Sequence, residues 1–100
     1  MTDGDSGSDS PDARATIRTW LVERSYDDRN LITLVYATPD GERAVRKERS
    51  ATVMHQQGSQ VTAAIDVDAT RLSPVDGATR ERYAAEATRM REQHEPDDEV

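Results

Sequence analysis

The order of apolar and polar residues divides the chain into a β-rich first half and a helical end. From Ala15 to Arg24 the pattern alternates: Ile17, Thr19 and Leu21 fall on one face, Arg18, Trp20, Val22 and Arg24 on the other. That is the period of a strand. Asp27-Asp28-Arg29-Asn30 has the chemistry of a turn. Leu31 to Ala37 is apolar on both faces, which predicts a central strand. Thr38-Pro39-Asp40-Gly41 predicts a hairpin: Pro39 presets φ, and Gly41 supplies a left-handed residue. Glu42 to Glu48 is its partner, with Ala44 and Val45 the only apolar positions, and reads as an edge guarded by charge.

The second half is less regular. Ser50 to Gln57 predicts a short helix, with Ser50 as N-cap, Gly58 as the stop, and Val53 and Met54 facing inward. Val61 to Val67 predicts a fourth strand with Val61, Ala63, Ile65 and Val67 on one face, although Thr62-Ala63-Ala64 also suits a helix. Leu72 and Val75 are expected to pin a loop to the core. Asp76 then caps a helix to about His94, with Tyr83, Ala87, Met90 and His94 as its apolar stripe and Arg82, Glu86 and Arg89 as a solvated ion-pair ladder. The expected fold is α+β: a three- to four-stranded antiparallel meander with the C-terminal helix packed on one face. It occupies residues 15–94 as a single domain, between a disordered acidic tail (1–14) and an acidic C-terminal tail (95–100).

Composition narrows the chemistry. Hydrophobic residues make up 34% of the 100 residues and charged residues 33%, with no Cys. That excludes disulfides, a thiolate nucleophile and a Cys-ligated metal. No apolar run approaches a membrane span, and the first residues have neither the basic start nor the apolar stretch of a signal peptide, so a cytoplasmic protein without membrane contact is expected. The net charge is −7, but Asp3, Asp5, Asp9 and Asp12 at the start and Glu95, Asp97, Asp98 and Glu99 at the end account for it, leaving residues 13–94 slightly basic. Of the 13 basic residues only Lys47 is a lysine. Arg over Lys with acidic tails fits a salt-rich cytoplasm; a GC-rich genome gives the same bias.

Two surfaces stand out. A meander that is apolar on both faces needs more cover than one helix gives, and exposed apolar patches are uncommon in monomers. Either a second copy supplies it, with Trp20, Val22, Leu34 and Tyr36 at the interface, or the Ser50–Gln57 and Val61–Val67 segments complete the core. The leading reading is therefore a non-catalytic interaction module, a homodimer or an accessory subunit. The alternative is nucleic-acid binding through Arg43, Arg46, Lys47 and Arg49 on the basic strand, with Trp20, Tyr26 and Tyr36 as stacking rings. The acidic tails are expected to be able to fold back on that strand. His55, His94, Asp66 and Asp68 lack any metal-binding spacing, and Ser, His and Asp occur without a catalytic spacing, so neither a metal, nor a cofactor, nor catalysis is expected. Tyr26 to Asn30 reads as an ordinary turn.

Three stretches carry a resemblance: RTWLVERSYDDRNLITLVYATPDGER (Arg18–Arg43), VTAAIDVDATRLSPV (Val61–Val75) and RERYAAEATRMREQHEPDDEV (Arg80–Val100). They are similar to small, acidic, uncharacterised proteins of salt-loving archaea. The resemblance implies cytoplasmic residence and a halophilic source, and carries over no activity and no functional residue.

Overall fold

The computed structural model describes residues 16–52 and 61–100. Five antiparallel strands form one sheet: β1 (Thr16–Tyr26), β2 (Leu31–Ala37), β3 (Arg43–Ser50), β4 (Ala64–Asp68) and β5 (Ser73–Pro74), followed by helix α1 (Gly77–Gln93). Their spatial order is β4-β1-β2-β3-β5. The meander of β1, β2 and β3 forms as its pattern predicts. Of the expected strand Val61–Val67, residues 64–67 form one, since β4 pairs with the start of β1, Ala64 opposite Trp20, whereas 61–63 lie before it and meet residues 98–100. The expected count of three to four strands falls short by β5. A two-residue Ser-Pro strand has no propensity signal; it exists because the chain passes beside Arg43 and Ala44, with Val75 donating to the Glu42 carbonyl at 2.9 Å. The short helix expected over Ser50–Gln57 lies largely outside the described residues, as does the tail 1–14; Ser50 itself ends β3.

Local chemistry explains both hairpins. The Asp27 carboxylate accepts from the backbone N–H groups of Arg29 (2.9 Å) and Leu31 (3.2 Å), and Asn30 takes the left-handed conformation at φ 68. In the second hairpin Gly41 has φ 73, and a Cβ there would stand 2.3 Å from the Arg80 carbonyl oxygen in α1. Glycine is required twice over, for the turn and for the close approach of the helix. The helix starts where expected: the Asp76 carboxylate accepts from the Thr79 N–H at 2.9 Å, and His94 is the C-cap. Of the expected ladder, Arg89 pairs with Glu86, but Arg82 turns to Glu23 on the sheet at 3.4 Å.

A bulge at Val22 alters the faces of β1. Leu21 opposes Tyr36, yet Glu23 opposes Val35. Arg24 therefore leaves the face of Trp20 and joins that of Leu34, whereas strict alternation put Trp20 and Arg24 together. On one face Trp20 packs with Ala63, Ala64 and Ala87 under α1, with Val22 against them. On the other, Leu21, Ile32, Leu34 and Tyr36 pack with Val61, and Val45, Ala51, Ile65 and Val100 lie against them.

Both faces are thus covered within the chain, which corrects the expected interface. Trp20 is 5% exposed, Leu34 3% and Tyr36 2%, and the Tyr36 hydroxyl donates to the Thr62 carbonyl at 2.9 Å. Val22 is half-buried in the core. Val100 adds to the cover on both faces, and residues 95–100 are bound to the sheet through their backbone. Ala64 donates to the Pro96 carbonyl, Ala63 to that of Asp98 and Val100 to that of Val61, at 3.0, 2.8 and 2.8 Å.

Candidate functional site

The outer side of β3 is a part of the described surface where backbone polar groups and cations are left over together. Pairing sets its geometry. Thr38 donates to the Arg43 carbonyl and Ala51 to that of Asn30, each at 2.9 Å. The antiparallel alternation between those bonds turns the backbone groups of Val45, Lys47 and Arg49 toward β2, and those of Ala44, Arg46 and Glu48 outward. β5 satisfies Ala44 and stops. Among the described residues nothing pairs with the outward N–H and C=O groups of Arg46 and Glu48. The expectation of an edge strand therefore holds only beyond Ala44.

The side chains of β3 divide between the two faces. By register Lys47 and Arg49 share the face of Leu34 and Ile32, and Arg43 continues it, while Arg46 shares the face of Val35, under α1. The four expected polyanion contacts, Arg43, Arg46, Lys47 and Arg49, do not form one flat platform. They straddle an edge. None of them forms an ion pair among the described residues, nor does Arg71 from the 3-10 turn Ala69–Arg71 that leads to β5. Glu42 and Glu48, interspersed with them in the sequence, form no ion pair with them. Burial pulls the Lys47 ammonium below its ordinary pKa range, and the nearby charges of Arg49 and Arg71 add to the effect.

A groove of about 610 Å³ opens beside this edge, beneath the first turns of α1. Val35, Ala44, Pro74 and Val75 give it apolar walls, and Tyr83, Arg46 and Arg71 line it as well. The carboxylate and the phenol that line the groove are engaged. Asp76 caps α1, and the Thr79 N–H holds its carboxyl below the usual range. The Tyr83 hydroxyl donates to Glu23 at 3.2 Å, and its pKa is raised by burial first and by the Glu23 charge second. Sequence reasoning missed Arg71 and Tyr83, because only the crossing from β4 to β5 and the docking of α1 bring them to β3.

The other sequence candidates lie apart. Asp66 holds Arg18 through two hydrogen bonds, at 2.9 and 3.3 Å, and Asp68 caps the 3-10 turn through the Thr70 N–H. His94 faces Asp98, and His55 lies outside the described residues. Among the described residues no three His, Asp or Glu side chains converge on a metal position. Of the three expected stacking rings, Tyr26 is 70% exposed, while Trp20 and Tyr36 are core.

A family model matches residues 13–100. The chain belongs to DUF7967, a family of unknown function. No curated protein and no solved structure matches it. The DUF7967 region takes in residues 95–100, in keeping with their backbone pairing to residues 61–64. Among the described residues of this DUF7967 member no helix is long and apolar enough to cross a membrane.

Proposed function

We propose that this DUF7967 protein is a non-catalytic interaction module that docks an acidic partner protein along the outer edge of β3. The observation that carries this reading is the group of cations without an ion-pair partner, Arg43, Arg46, Lys47, Arg49 and Arg71, collected beside an unpaired stretch of strand. In a chain with 20 acids and 13 bases, these largely exposed cations are open to a partner's carboxylates. An acidic protein fits better than nucleic acid. Two of the three rings that would stack bases are buried, and the cations straddle an edge instead of tracking a groove.

The test is fluorescence anisotropy with a labelled poly-glutamate 12-mer and a single-stranded DNA 12-mer, from low to molar salt. The reading expects poly-glutamate to bind at low salt and to lose at least about tenfold in affinity in the double variant Arg46→Glu with Arg71→Glu. Tighter binding of the DNA, or poly-glutamate binding unchanged by the double variant, would overturn it.

A further inference from the structure

The charge of the β3 edge says what sign of partner it takes; its backbone says what shape. Arg46 and Glu48 point their N–H and C=O groups away from the sheet, directly after the point where β5 ends. An edge in that state is a template for another strand. The two sides of the template differ in chemistry. Lys47 and Arg49 project to one face, while on the other Arg46 stands over the groove with its apolar walls of Val35, Ala44, Pro74 and Val75. Side chains of an added strand alternate between those faces.

We infer that the partner adds as a β-strand to residues 45–49, extending the sheet beyond β3, and that its segment alternates acidic and apolar residues. The acidic residues meet Lys47 and Arg49, and the apolar ones enter the groove beneath α1. This rests on the acidic-partner reading above. A second copy of this chain fits poorly. Pairing two β3 edges about a two-fold axis sets Arg46, Lys47 or Glu48 against itself, depending on register; the Lys47 register also sets Arg46 opposite Glu48, but in it Arg43 and Arg49 face Ala51 and Val45 and gain no carboxylate, which an acidic strand supplies.

The experiment uses the full chain and three octapeptides: alternating Glu and Val, alternating Glu and Ser, and alternating Glu and Val methylated at every backbone nitrogen. Affinities come from titration calorimetry and amide protection from hydrogen exchange by NMR. The Glu-Val peptide is expected to protect the Arg46 and Glu48 amides at least about tenfold, while the Val45 and Lys47 amides, already bonded to β2, change little. Methylation, which keeps the charge and removes the donors, is expected to cost at least about tenfold in affinity. Replacing Val by Ser is expected to weaken binding by about threefold or more. If the methylated peptide binds as tightly as its parent and the two amides stay unprotected, strand addition is wrong while acidic docking stands. If no Glu-containing peptide binds, the acidic-partner reading fails as well. Protection of Arg46 and Glu48 that rises with protein concentration in the absence of peptide would overturn the inference in favour of a second copy.

Discussion

The two edges of this sheet are finished in opposite ways. At the β4 edge the chain closes on itself: Ala64 donates to Pro96, residues 61–63 pair with 98–100, Arg18 is held by Asp66, and Arg24 donates to the main-chain oxygen of Val100 at 3.1 Å. By register only Asp66 keeps outward backbone groups there before Asp68 turns the chain, and its carboxylate guards the position. At the β3 edge the closing strand is two residues long, and two residues of open backbone follow, beside cations that have no ion-pair partner among the described residues. One edge carries stability. The other carries unspent hydrogen bonds and charge, which is where binding energy is available.

The largest test of this contrast is Trp20→Ala. The ring lies between β1 and α1 against Ala63, Ala64 and Ala87, so truncation leaves a cavity among small side chains that cannot fill it. A loss of about 3–5 kcal/mol is expected in urea denaturation. Arg46→Ala on the open edge should stay within about 0.5 kcal/mol. Comparable losses at both positions would erase the distinction.

Gly41→Ala comes next. The added Cβ meets the Arg80 carbonyl at 2.3 Å and the Ala84 nitrogen at 2.7 Å, at a left-handed φ, so α1 must lift from the hairpin. We expect a loss of about 2–3 kcal/mol. The groove beside β3 should open with it, and thermal melting together with the Tyr83 amide shift would report both effects.

Asp98→Ala is smaller and local to the closed edge. Its carboxylate accepts from the Glu95 N–H at 2.8 Å and holds the turn that presents 96–100 to the sheet. About 1 kcal/mol is expected, with faster exchange of the Ala63 amide, which donates to the Asp98 carbonyl, and no change at Arg46 or Glu48.

Acid should act first on turns and caps. Backbone N–H groups hold Asp27, Asp68 and Asp76 below the usual carboxylate range, the Thr38 hydroxyl does so for Asp40, and the Arg18 hydrogen bond for Asp66. A carboxyl depressed in the folded state stabilises above its unfolded pKa, and that stability is lost as pH falls through the folded value. Melting temperature should therefore stay flat from neutral pH to about 5 and decline below about 4. Lys47 takes no part in that window. Its depression would show instead as early deprotonation on the alkaline side, measurable by NMR titration and reduced by Arg49→Gln.

Much of this architecture was legible in the sequence. Alternation and turn chemistry located the meander, Gly41 and Asn30 took the left-handed positions their types allow, and Asp76 capped α1, because each depends on residues only a few positions apart. Membership of a family of unknown function agrees with the resemblance to uncharacterised proteins. Long-range placement was not. The bulge at Val22 reassigned half of β1 to the opposite face, and the pairing of 95–100 with 61–64 turned an acidic tail into cover for the core. The apolar surplus of the sheet, which the sequence left between a second copy and the chain's own segments, was taken up within the chain. Arg43, Arg46, Lys47 and Arg49 were visible as a basic strand, but their lack of ion-pair partners, their division between two faces, and their company with Arg71 and Tyr83 came only with the fold. The physical reason is range: propensity, capping and turn geometry act over a few residues, whereas charge pairing and the satisfaction of a strand edge depend on which distant segment arrives beside it.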